Sequence, residues 1–579
     1  MRLRSALAAA ALVAALAGAA GARPGDLDPS FNSGTILLVD LSDAGANGTE
    51  FHAAQLDAQG RIVLAGSTQD ESGVTAALLA RLLPSGLLDA SFGTGGKRVT
   101  QAGRGAGTVF SLLGSLAPRP GGGWAATGGA SDEDGRQAAL ALAVDENGAL
   151  DAGFGTGGST RVQPAGPPPA FTLALASGGR GGVDADGNVL LAHAIVLDPM
   201  DTTDTRLAVV KLGTNGLPAA GFASGGVYTN TFSQAPILDT THGMAALPTP
   251  EGVLVAGSTR DPDGATAFLL VRLTASGALD PTFADGAGYR VVQASHPAAQ
   301  AKFSQAVALA LGPGGVIYVA GAASDAGSFT ALAVARFTAS GALDASFGSL
   351  GIARLQTGPI DPGVTTSSFA GGVAVQADNR VVVVGSSGSG DFTEMVVVRF
   401  LPDGNVDPAF GVGGVVRIQS ASGTKPETLG FGATIAPDGN TVLAVGQVKQ
   451  PAGGRGVIAR IQLTEAAGDP CSPPHSLGDV ICRIVALRVY AGAVTPQELK
   501  LRKRLVRSLM KSERKATASG ALENRKRRRK LGQALRLVQR FEKQVDSRGA
   551  RKVHAEDQRV RMLNEAEDIE LILVGLRAP

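Results

Sequence analysis

A chain of 579 residues is too long for one ordinary hydrophobic core, which leaves several domains or an array of repeats. Its 80 glycines keep no three-residue period and are separated by regular apolar runs, which excludes collagen and wholesale disorder. The formal charge of +2 is near neutral only as a total: about 23 basic and 11 acidic residues lie from Thr495 onward, so the remainder is acidic.

Residues 1–22 read as a signal peptide, with basic Met1-Arg-Leu-Arg4, an Ala/Leu/Val run and Ala20-Gly-Ala22, so the mature chain is expected to be secreted or periplasmic. No later apolar run approaches the length of a membrane span. The next stretch, Leu27-Asp-Pro-Ser-Phe31, recurs about every sixty residues as Leu88-Asp-Ala-Ser-Phe92, Leu150-Asp-Ala-Gly-Phe154, Leu279-Asp-Pro-Thr-Phe283, Leu343-Asp-Ala-Ser-Phe347 and Val406-Asp-Pro-Ala-Phe410. A worn copy ends at Phe222, where Ala219 replaces the aspartate and an insertion runs from Asp198 to Thr205, so this unit is expected to be irregular.

Between copies lie four strand-like segments, as in Phe51 to Asp57, Arg61 to Gly66, Ala76 to Arg81 and Lys97 to Thr100. The near-continuous apolar second and third segments suit strands covered on both faces. The chain starts with a tail and finishes the array with a head, so the strand after Phe31 is expected to pair with the segments around Val442 and Ile458. The predicted fold class is an all-β seven-bladed propeller closed by pairing of N- and C-terminal strands, plus a small all-α C-terminal helical bundle. An open solenoid is the other arrangement, but it needs caps that a lone tail does not supply.

Each signature residue has a physical task. The glycine before Leu-Asp admits a positive φ, the aspartate accepts backbone N–H bonds, and the phenylalanine is the largest apolar group of its unit. Phe31, Phe92, Phe154, Phe222, Phe283, Phe347 and Phe410 are therefore expected to be wedges between blades. The signature, with its following Gly-Lys or Gly-Gly and upstream Arg61-Ile-Val-Leu-Ala-Gly66, resembles the bacterial delta-sixty repeat over residues 26 to 464. That resemblance implies a β-propeller and is silent on reaction.

After Leu463 the composition changes. The expected division is 1–22 signal peptide, 23–464 propeller, 465–478 Pro-rich linker and 479–579 a basic four-helix module, with helical faces such as Leu501, Leu505, Leu509 and Leu531, Leu535, Val538. Phe541-x-x-x-Val545 and Gly549-x-x-Lys552-Val553 resemble the FIMAH module, from which the basic run departs. Cys471 and Cys482 are expected to form a disulfide in an oxidising compartment, with two unpaired thiols as the alternative. Arg525, Lys526, Arg527, Arg528, Arg529 and Lys530 form a candidate anion-binding run, the alternative being a solvated helix end.

No catalytic residue, metal ligand or cofactor is assigned. The histidines are scattered, Asp184-Ala-Asp186-Gly-Asn188 reads as a turn rather than a calcium loop, and Gly155-Thr-Gly-Gly158 leads into a strand. Trp124 reads as core. The leading function is an exported non-catalytic binding scaffold, with an unknown protein or glycan on a propeller face and an anionic envelope polymer at the C-terminal module; no nucleic acid is expected. The alternatives are a secreted hydrolase or lyase at the channel mouth and a structural surface protein.

Overall fold

The computed structural model describes residues 23–43, 47–104, 109–131, 137–163, 171–173, 180–198, 201–235, 241–357, 367–389, 392–419, 427–450 and 453–464. Within them Gly25–Leu463 form one compact unit. Its elements are short antiparallel strands, four to a repeat, as the alternation of apolar runs and turn glycines requires.

Unit 1 comprises Glu50–Leu56, Ile62–Gln69, Thr75–Leu82 and Lys97–Thr100, each strand paired with the next. Unit 2 starts at Ser111–Pro118, unit 4 at His242–Thr249, unit 5 at Ser304–Leu311, unit 6 at Ser367–Val375 and unit 7 at Glu427–Ile435. The first strand of unit 3 is split into Phe171–Leu173 and Gly181–Val183, both paired with Val189–Asp198. Its insertion is a lengthened hairpin, continued by Asp201–Leu212 with Asp198 opposite Asp201. Unit 7 has only three strands of its own, and the fourth is Leu37–Val39 from the other end of the array. It lies antiparallel on Gly453–Gln462, with Leu38 opposite Val457.

The first strands touch in cyclic order from unit 1 to unit 7 and back to unit 1. The arrangement is propeller-like: seven repeat units side by side around a common interior, each covered by its neighbours. Second and third strands are accordingly buried along nearly their whole length, as in Ile317–Ser324 and Thr330–Phe337.

The predicted fold class needs correction. No α-helix occurs among the described residues, whose only helical turns are the 3-10 segments Asn32–Gly34 and Pro313–Gly315. The described residues are all-β and include no helical bundle; residues 479–579, where it is expected, lie outside the described residues, as do Cys471, Cys482 and the run Arg525 to Lys530. No sheet closes on itself either. Four units are separate four-stranded sheets and unit 3 is five-stranded, while units 6 and 7 merge into one nine-stranded sheet that also holds Leu37–Val39. The merger comes from a single parallel bridge between Thr393 and Glu427, where the third strand of unit 6 meets the start of unit 7. Between first strands the described residues form only isolated bridges, such as that from Arg180 to Ala245, so the ring is one of neighbouring sheets. Among the described residues no helix is long and apolar enough to cross a membrane.

Candidate functional site

The signature phenylalanines all lie between units. Phe31, Phe92, Phe154, Phe222, Phe283, Phe347 and Phe410 are each 0–1% exposed. Phe347 belongs to a core shared by Val334 of unit 5 and Val383 and Val398 of unit 6, and Phe31 to one shared by Leu64 of unit 1 and Ile458 of unit 7. Six of these rings, all but Phe410, rest on the turn glycine of the next unit. A Cβ on Gly341, where φ is +83°, would stand 2.5 Å from the Phe283 ring. The residue after the phenylalanine then donates its N–H to the carbonyl just before that glycine, as in Ala284 to Ser340 at 2.8 Å and Gly348 to Asp403 at 2.7 Å.

Sequence reasoning missed the arginines that complete this joint. Arg81, Arg272, Arg336 and Arg399 each stand eight residues before the signature aspartate and pair with it, at 2.7 Å from Arg81 to Asp89 and 2.6 Å from Arg272 to Asp280. Each guanidinium also lies over its own unit's phenylalanine, 4.5–4.9 Å from the ring centroid. A free N–H then reaches the next unit's backbone, as from Arg272 Nη1 to Ala339 O at 3.1 Å. The aspartate's other oxygen accepts from the N–H two residues on, as from Ser346 at 3.1 Å. The constant spacing of Arg and Asp was the available signal.

Two units improvise. In unit 2 Asp151 takes Arg119 from the turn between the first and second strands, at 2.7 Å. In unit 3, which has Ala219 instead of aspartate, Lys211 pairs with Asp184 at 2.9 Å. Asp184 Oδ1 also accepts the N–H groups of Asp186 and Asn188, so this segment is occupied as a turn. Outer strands add contacts in the opposite sense: Arg354 donates to Ala294 O at 2.6 Å and Ser295 O at 3.0 Å of the preceding unit. Trp124 is 6% exposed in the core between units 1 and 2.

The ring interior differs from this outer joint. Every first strand outside unit 3 has a bulge, at His52, Gly114, Met244, Val307, Gly371 and Phe431. Opposite each stands a second-strand glycine; at Gly321 a Cβ would meet Gln305 O at 1.9 Å. In unit 3 the equivalent residue is His193, 2% exposed, with Nε2 lacking a hydrogen-bond partner. Burial holds its imidazole down at about 4.

Three bulge-region side chains converge. The His52 and Phe431 rings stack with centroids 4.6 Å apart. His52 Nε2 lies 3.2 Å from Glu50 Oε1, which accepts the Ser67 hydroxyl at 2.7 Å. Burial acts to raise the Glu50 carboxyl, but His52, Ser67 and Lys449 together hold it below its ordinary value. From the far side, Arg180 Nη2 donates to Phe431 O at 2.6 Å. Units 3 and 7 are not neighbours in the cycle, so this side chain crosses the interior. Burial holds the Arg180 guanidinium down at about 10. Ser67 is buried and donates to Glu50 rather than to His52, so the three are not wired as nucleophile, base and orienting acid. Among the described residues no three His, Cys, Asp or Glu side chains converge as metal ligands.

A family model described as "Domain of unknown function (DUF5122) beta-propeller" matches residues 59–92, 252–283, 313–347 and 376–410. These four stretches support a β-propeller for the repeat array, and the match extends to neither the delta-sixty repeat nor the FIMAH module. Each matched stretch ends on a signature phenylalanine. The matched units are the four in which the arginine and aspartate of one joint follow each other along the chain. No curated protein matches. Solved structures similar to the chain include a protein of unknown function from Dyadobacter fermentans, at 13% identity over 60% of this chain and 93% of that one, TM-score 0.31. Others are the polysaccharide lyase Uly1, at 9% identity over 71% and 90%, TM-score 0.33, and the Hadza microbial sialidase Hz136, at 11% over 67% and 74%, TM-score 0.33. Likeness this slight carries no argument about function.

Proposed function

We propose that the chain is an exported, non-catalytic binding scaffold that holds a protein or glycan ligand against its propeller ring. The observation behind this reading is the use made of charge: the signature Arg and Asp side chains are occupied with each other and with the next unit's backbone, which fixes one rim. By strand alternation the connection 293–303 leaves on the opposite rim, and in sequence the inter-unit segments 231–241, 293–303 and 357–366 share no motif. A fixed ring carrying unlike loops is an arrangement for recognition. The basic run Arg525 to Lys530 is proposed to dock the chain on an anionic envelope polymer.

The test is a screen of the labelled full chain against a glycan array and detergent-extracted envelope proteins, repeated with 293–303 exchanged for a Gly/Ser segment of equal length. Binding that is lost on exchange of this or another inter-unit segment, without consumption of the ligand, is expected. Ligand turnover, or binding indifferent to exchange of every inter-unit segment, overturns the reading.

A further inference from the structure

The ring interior holds a cation with no acid beside it. The signature arginines Arg81, Arg272, Arg336 and Arg399 each face a carboxylate, whereas Arg180, half-buried next to Gly181–Val183, pairs with no Asp or Glu among the described residues. Its one side-chain bond is to the Phe431 carbonyl. A guanidinium carries five N–H donors in a planar fork, and an uncompensated buried charge is costly, so such groups are ordinarily paired. Only Nη2 is bonded, and no bond of the remaining guanidinium N–H groups is present among the described residues. Beside it stands Phe431, also half-buried, whose ring is stacked on the buried His52. One ring face is thereby fixed, on the residue whose carbonyl holds the guanidinium.

We propose that Arg180 and Phe431 form an oxyanion site inside the ring, which takes the carboxylate or phosphate group of a small ligand on the free guanidinium donors. Such a group supplies the missing countercharge, and two of its oxygens match the fork. This inference rests on the binding-scaffold reading and names the ligand class for the ring interior.

The experiment measures melting of the full chain at matched ionic strength with sodium galacturonate, inorganic phosphate, neutral galactose or chloride. One or both oxyanions should raise the melting temperature while galactose and chloride do not. A response to galacturonate alone assigns the site to carboxylates, and to phosphate alone assigns it to phosphates. Arg180→Gln should weaken the responding oxyanion about tenfold or more, with Arg180→Lys between the two. Phenylglyoxal labelling, read by peptide mass, gives a second measurement on the unaltered chain: the oxyanion should slow modification of Arg180 but not of Arg290. This arm decides if Arg180→Gln fails to fold. No response to either oxyanion, an undiminished response in Arg180→Gln, or unprotected labelling of Arg180 overturns the site. None of these results touches the loop-exchange test of the scaffold reading.

Discussion

Arg399 and Asp407 make the most enclosed of the signature ion pairs, with both side chains 4% exposed and 2.9 Å between Nε and Oδ2. Asp407→Asn leaves a buried guanidinium uncompensated and should cost about 3–5 kcal/mol in urea unfolding. Glu427→Gln breaks the open pair with Lys449, whose side chains are 41% and 55% exposed, and should change stability by less than about 1 kcal/mol. Equal effects would show that enclosure is not what gives the pair its weight. Phe347→Ala empties the core between units 5 and 6 and should cost about 3–5 kcal/mol. The phenylalanines and turn glycines were legible in the sequence because they recur side by side. The arginines lie on the preceding strand among aliphatic residues, and only the fold shows what they face.

His193 gives the residue scale its pH dependence. Its folded value of about 4 lies below the ordinary 6.5, so the unfolded chain binds the proton more readily in this window. Stability is complete above pH 6.5 and is lost as pH falls toward 4, by up to about 3 kcal/mol. His193→Gln should flatten this part of a plot of urea midpoint against pH. A plot that keeps its slope would mean that the imidazole titrates normally in the fold. Below it the signature carboxylates act. Asp344 is lowered foremost by Ser346 and Asp151 by Arg119; in Asp89 and Asp280 burial pushes upward but is outweighed by hydrogen bonds from Ser91 and Thr282 and by Arg81 and Arg272. Their contribution is present above pH 3.8 and is lost as pH falls through the lowered folded values.

At the scale of the element, the bulge and its facing glycine form the repeated device of the interior. Gly321→Ala puts a methyl group 1.9 Å from Gln305 O, where backbone must move, and should cost about 1–3 kcal/mol. Gly221→Ala meets nothing within 4 Å and has no positive φ, so its change should stay within about 0.5 kcal/mol. Comparable melting of the two variants would remove the bulge from the account. Strand order was legible because apolar runs alternate with turn residues at fixed spacing. The bulges were not, since a single unpaired residue leaves no mark on hydropathy. Unit 3 announced its irregularity through Ala219, but the splitting of its first strand and the use of His193 depend on tertiary fit. Arg180 could not be singled out in advance, because its distinction is the unit it reaches.

For the whole molecule, the joint between the ends of the array is built like the others. Asp28 pairs with Arg460 at 3.0 Å, Gln462 donates to Asp26 O, and Gly25 donates to Gln462 O, both at 2.8 Å. Asp28→Asn should therefore destabilise the ring about as much as Asp344→Asn. A smaller loss would show that end-to-end strand pairing holds without its ion pair. The tail-first phase was readable from the order of signatures and strands; the merger of units 6 and 7 rests on one bridge with no sequence signature.

The pairing of Leu37–Val39 with Gly453–Gln462 also bears on how the protein is made. Synthesis delivers the first half of that joint at the outset and the second only when the last repeat has been completed. Until then the Leu37–Val39 edge waits unpaired and the aspartate at position 28 lacks Arg460. A product truncated within the final repeat keeps an open flank, with unpaired backbone and apolar surface available to a protease or another nascent chain. The offset joint is thus a length check: among products that include the start of the array, only one that also reaches Gln462 can hide both edges.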